Sequence, residues 1–87
     1  MGLVITTHTD SLSIDLGGLS SERKFARIKY NYIRSITKST DDKTVSIIFT
    51  NGEIYGFSYE LVDEVDGDTN ITSQDILYNK IESKLFA

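Results

Sequence analysis

The stretch from Glu64 to Asp75 is the part of this chain whose residue types and spacing come nearest to a chemical site. Asp66, Asp68 and Asn70 offer oxygen atoms at alternate positions, Ile71 follows as a central apolar residue, Asp75 closes the run, and an apolar-periodic segment leaves from its end. Calcium loops place carboxylate and carbonyl oxygens in this way around a hard cation. The match is incomplete, because Thr69 stands where the sharp turn needs glycine, the short Asp75 stands where a bidentate glutamate belongs, and Glu64 holds the first ligand position. An acidic loop capped by Thr72 accounts for the same residues, so no metal and no cofactor are assigned.

A second cluster is cationic. Arg23, Lys24, Arg27, Lys29, Arg34 and Lys38 are interleaved with Phe25, Tyr30 and Tyr32, a mixture able to neutralise phosphates and stack bases. A pI near 4.7 and the lack of any recognisable nucleic-acid motif argue that this segment is instead a solvated face or a contact for acidic partners. Arg23, Lys24, Arg27, Lys29 and Arg34 are the residues a polyanion ligand would use.

The remaining candidates do not assemble into a reaction. His8 is the single histidine and there is no cysteine, so a histidine-based zinc site would lean wholly on carboxylates, and a Ser-His-Asp set would require arbitrary partners. Asp41-Asp42 and Asp63-Glu64 are paired carboxylates in turn-like surroundings, where solvation keeps both ionised. Tyr55 and Tyr59 could form a carbohydrate platform, but aromatic rows on strands more commonly serve core or interface. The reading is therefore non-enzymatic, with no small-molecule substrate.

The elements that must position these groups are mostly strands. The chain of 87 residues is one domain, with a net charge of −4, 39% hydrophobic residues and 25% charged residues, the composition of a folded globular protein. Leu3 to Thr7 and Ser11 to Leu16 flank a Thr9-Asp10 turn and suggest a first hairpin, ended by Gly17-Gly18. Leu19 to Lys24 reads as a loop, with a short helix from Ser20 as the competing assignment. Phe25 to Tyr30 and Tyr32 to Lys38 follow as strands bent at Asn31. The segment from Tyr32 to Tyr59 then reads as an antiparallel meander.

Within the meander, Thr50-Asn51-Gly52-Glu53 signals a two-residue hairpin turn. That register sets Phe49 opposite Ile54 and Val45 opposite Ser58, and puts Ile48, Tyr55, Phe57 and Tyr59 together on the other face. Both faces are then apolar, and one must be covered by a helix or another chain. An acidic loop is expected over 63–70. Thr72 is a natural N-cap with Asp75 near the start of a helix over about 73–85, whose stripe is Ile76, Leu77, Ile81 and Leu85, extended by Phe86. Periodicity does not decide which sheet face that helix covers. The fold class is α+β and mostly β, an antiparallel sheet or small barrel or sandwich of short strands (about 3–59) with one C-terminal helix.

The start, Met1-Gly2-Leu3-Val4-Ile5-Thr6, lacks the basic and long apolar regions of a secretory signal, and no apolar run reaches the roughly 20 residues that span a bilayer. Gly2 fits a loose lipidation pattern but reads better as the lead into a strand. No membrane association is expected. The basic segment and the later acidic one (Glu60, Asp63, Glu64, Asp66, Asp68, Asp75) make the chain electrically two-sided, suited to head-to-tail contacts between copies unless the two segments neutralise each other within one molecule.

The run Val45 to Phe57, followed by the acidic loop and Ile71-Thr72-Ser73-Gln74-Asp75-Ile76-Leu77-Tyr78-Asn79-Lys80-Ile81, resembles small β-rich virion proteins of tailed bacteriophages over the second half of the chain. The resemblance implies a structural subunit present in many copies, as capsid decoration, connector or tail ring. Its partners would be copies of itself and other virion proteins, and it would be assembled in the host cytoplasm and located in the virion. The alternative is a monomeric module binding nucleic acid or another polyanion through residues 23–38.

Overall fold

A computed structural model describes residues 2–16 and 25–85. It contains seven strands, β1 (Leu3–Thr7), β2 (Ser11–Leu16), β3 (Phe25–Lys29), β4 (Ile33–Lys38), β5 (Thr44–Phe49), β6 (Ile54–Ser58) and β7 (Val62–Val65), followed by one helix, α1 (Gln74–Leu85). The fold is mostly β with two sheets and a C-terminal helix, as the sequence suggests. The loop or helix expected over 19–24, together with Arg23, Lys24 and Phe86, lies outside the described residues.

The sheets have the orders β3-β2-β1-β7 and β4-β5-β6. Two 3₁₀ turns, Tyr30–Tyr32 and Tyr59–Leu61, carry the chain from β3 into β4 and from β6 into β7. Both begin after an extended residue, and in both the backbone N–H of the residue after the turn bonds back to the carbonyl of its first tyrosine. Each corner therefore bends one long strand so that it serves both sheets. The ring runs β1, β2, β3 with β4, β5, β6 with β7, and back to β1. Five antiparallel passes end with the last strand running the same way as the first. The closing β1·β7 pair is accordingly parallel, a correction to the wholly antiparallel expectation.

β7 also corrects the acidic loop. Val62–Val65 is a strand that takes in the first three residues of the span read as loop, because Val62 and Val65 are buried inward while Asp63 stays exposed. The Asp63 carboxylate accepts the Gly2 N–H at 2.8 Å. Gly2 lies so close to the Leu61 carbonyl that an added Cβ would sit 2.1 Å from its oxygen, so only glycine fits where β1 enters the ring.

The β5–β6 turn has three residues, not two. Ile48 pairs with Ile54 and Val45 with Phe57, and Gly52 takes φ +92°, the left-handed position that closes a three-residue hairpin with a bulge. One extra residue exchanges the faces of the whole second strand. Phe57 consequently joins Val45, Ile47, Ile33 and Ile36 in the core, at 5% exposure, while Ile54 lies on the opposite face at 66%. Ile48 therefore does not share a face with Tyr55 and Phe57, and Tyr59 belongs to a corner turn. The second face is not the greasy surface that the two-residue register implied: beside Ile48 and Ile54 it carries Thr44, Ser46, Gly56 and Ser58.

Helix α1 packs on β4 and β5, with Leu77 and Ile81 fully buried in the cluster that holds Val45 and Ile47. It thus covers the Val45 and Ile47 face. Its cap is Ser73, whose Oγ accepts the Ile76 N–H at 3.2 Å, and not Thr72. The Gln74 side-chain amide donates to the carbonyls of Ser39 and Thr44 at 2.9 and 2.8 Å, which fixes the helix start to the β4–β5 turn.

Phe57→Ala should lower the unfolding free energy by about 3–5 kcal/mol, and Ile54→Ala on the same strand by less than about 1 kcal/mol, as measured by urea denaturation. Equal effects would contradict the three-residue turn.

Candidate functional site

The oxygen ligands of the calcium-loop candidate do not converge. Asp66 and Gly67 form a turn with positive φ at both residues, bridging Val65 to Asp68. The Asp66 carboxylate accepts from the N–H and hydroxyl of Thr7 at 2.7 and 2.6 Å. Asp68 bonds to Lys80 and to the Asn70 N–H. Asp75 pairs with Lys38 at 2.9 Å, at the far end of the loop. Each carboxylate is engaged with a separate protein partner, and no three metal-ligating side chains cluster among the described residues.

Hydrogen bonds from Lys80 and the Asn70 N–H hold the Asp68 carboxyl below its ordinary 3.8. Asp41, which accepts from the Thr44 hydroxyl and from the N–H groups of Thr44 and Lys43, is lowered in the same sense. Asp41 of the Asp41-Asp42 pair is therefore a turn-builder. A carboxyl depressed on folding contributes stability above its unfolded value and loses it as pH falls through the folded one.

His8 is exposed, with Nε2 2.8 Å from Ser13 Oγ, and its backbone carbonyl accepts the Tyr30 hydroxyl at 2.8 Å. Burial raises the Tyr30 hydroxyl pKa above its usual value, although the hydrogen bond to His8 opposes this. Asp15, Thr6 and Arg27 line the same shallow groove. No carboxylate bonds to the imidazole among the described residues, so the pair lacks the group that would orient it as a base.

The charge segregation expected from sequence is partly dissolved within the molecule. Lys38 meets Asp75, Lys43 meets Glu60 at 3.6 Å, and Lys80 meets Asp68. The Asp75 hydrogen bond raises the Lys38 pKa, and its ammonium also sits 5.1 Å from the Tyr78 ring centroid. Arg27, Lys29 and Arg34 form no ion pair among the described residues.

Two of those three meet again in an open cleft of about 650 Å³, lined by Arg27, Ile28, Lys29, Tyr32, Phe49, Thr50, Asn51 and Glu53. The cleft lies between β3 and the tip of the β5–β6 hairpin, and the Thr50 N–H joins its walls by donating to the Tyr32 carbonyl at 2.9 Å. Arg34 is exposed on β4 and outside it. Phe49, Thr50, Asn51 and Glu53 were not legible as neighbours of the basic segment, since only the bend at Tyr30–Tyr32 brings the hairpin tip there.

Of the proposed contact residues, Tyr55 remains 40% exposed and packs its ring 5.5 Å from Phe57. Ile48 and Tyr59 are half-buried. Exposed apolar surface lies at Ile54, Tyr55, Tyr32 and Leu61. Ile54 and Leu61 are not among the contact residues expected from sequence, because a two-residue register sets Ile54 on the Val45 and Phe49 face, away from Tyr55, and Leu61 falls in no expected element. No family model, curated protein or solved structure matches this chain. No helix among the described residues is long and apolar enough to cross a membrane.

Carboxyl-detected NMR titration should give midpoints below 3.8 for Asp41 and Asp68, with part of the stability lost as pH drops below about 4. Asp68→Asn should remove its share of that acid-side loss. Millimolar calcium should leave the melting temperature unchanged.

Proposed function

We propose that this chain is a non-enzymatic structural subunit of a repeating assembly, and that the assembly is the virion of a tailed bacteriophage, where the subunit serves as capsid decoration, connector or tail ring. The observation that carries the assembly reading is the outer edge of β6. β6 ends its sheet. Its pairs with β5 and the bonds from Phe49 N–H to the Glu53 carbonyl and from Tyr59 N–H to the Lys43 carbonyl turn the backbone groups of Glu53, Tyr55, Phe57 and Tyr59 inward. By alternation, those of Ile54, Gly56 and Ser58 point outward.

An outward row of backbone donors and acceptors flanked by Ile54 and Tyr55 is a template for strand pairing. Neither proline nor lysine blunts this edge, in contrast to the usual protection of monomeric sheets. The contact surface is accordingly Ile54 and Tyr55, with Leu61 beyond the strand's end, and Phe57 supports it from the core. The partners are copies of the chain and other virion proteins. The phage assignment rests on the resemblance of residues 45–81 alone.

Light scattering coupled to size-exclusion chromatography should show species heavier than the 9.8 kDa chain that grow with concentration. Ile54→Lys should return them to monomer without loss of fold, because lysine on an edge opposes pairing. A wild-type chain that stays monomeric at every concentration and is not taken up by a partner scaffold would overturn the reading.

A further inference from the structure

The cleft beside β3 has a property that the assembly reading does not use. β3 pairs with β2, and among the described residues its second edge has no strand partner. The Tyr30 N–H donates to the Asp10 carbonyl at 2.9 Å. In the register that sets Ser11 opposite Lys29 and Ser13 opposite Arg27, this bond makes Leu12 with Ile28 and Ile14 with Ala26 the hydrogen-bonded pairs. The N–H and C=O groups of Arg27 and Lys29 therefore point away from β2 into the cleft.

The side chains of these two residues lie on the outer face, over Ser13 and Ser11, and Arg27 Nε donates to Ser11 Oγ at 3.0 Å. Ile28 lies on the inner face, packed against the core with Phe49. The cleft thus presents alternate backbone donors and acceptors, two cations without an ion-pair partner among the described residues on one side, and apolar groups with the Tyr32 ring on the other. Its single carboxylate, Glu53, is held by the Asn51 amide at 3.1 Å.

We infer that this cleft binds an extended acidic peptide segment of a partner protein by strand addition to β3, with acidic side chains beside Arg27 and Lys29 alternating with apolar ones against Ile28, Phe49 and Tyr32. The backbone groups supply affinity and the alternating contacts supply selectivity. A nucleic acid fits less well. It offers no donors at backbone spacing for the Arg27 and Lys29 carbonyls, and its phosphates would face Glu53 on a protein of net charge −4. The site is separate from the β6 edge, so Ile54→Lys leaves it intact and either proposal can fail alone.

The probe is a labelled peptide of alternating glutamate and valine, followed by fluorescence anisotropy with the whole chain. Saturable binding in the micromolar range is expected, weakened about tenfold by Lys29→Glu, the loss of one charge-assisted contact. Arg27→Glu should weaken it too, but Lys29→Glu decides, because Arg27 also bonds Ser11; an unchanged circular dichroism spectrum confirms that the Lys29 variant is folded. N-methylation of one alternate set of peptide amides should abolish binding while methylation of the other set leaves it. Absence of binding at millimolar peptide, tolerance of both methylated sets, full affinity in Lys29→Glu, or tighter binding of an oligothymidylate would each overturn the inference.

Discussion

The parallel contact between β1 and β7 is the constraint on which the rest depends. A meander of five passes has two loose ends, and only a pairing between the first and last closes it. The ladder there is short, with a bulge between Leu3 and Val4, and it is reinforced at both ends by carboxylates. Asp63 holds the Gly2 N–H, Asp66 holds Thr7, and the Asp66 N–H in turn donates to the Ile5 carbonyl at 2.9 Å. With the ring closed, Ile5, Leu12, Val45 and Ile47 enclose one core, which Leu77 and Ile81 of the helix complete. The acidic segment that suggested calcium thus works as a fastening for the chain's own first strand.

What the sequence made legible follows from how local each signal is. The first hairpin lies where the β-branched runs and the Thr9-Asp10 turn place it, and α1 follows its apolar spacing to within a residue of the expected start. These elements need only nearest-neighbour information. The hairpin at Asn51-Gly52 was correctly located but misregistered, because Asn-Gly suits both a two-residue turn and the three-residue turn whose glycine takes positive φ. That difference of one residue moved Phe57 into the core and Ile54 out of it. No local propensity separates the two, since the winning register is the one that buries a phenylalanine against Val45.

β7 was hidden for a related reason. Val62-Asp63-Glu64-Val65 looks polar as a run, and its strand character appears only once β1 is beside it. The Asp66-Gly67 pair carries the same turn signal as Asn51-Gly52, and reading it as a turn would have revealed a strand ahead of it. The cleft beside β3 was legible in its cations but not in its walls. Arg27 and Lys29 stand out in the sequence, and the bend at Asn31 is signalled there too, whereas the direction of that bend, which brings the hairpin tip to face them, is not specified by residue types alone.

The two corner turns bear on how the molecule comes apart. Because the strand pairs β3 with β4 and β6 with β7 are each one continuous stretch of backbone bent across a corner, neither sheet owns a complete set of strands. Fraying of one would drag a covalent neighbour out of the other, and the helix, anchored on β4 and β5, would lose its seat at the same time. Two layers of sheet tied together in this way are expected to unfold as a single cooperative unit.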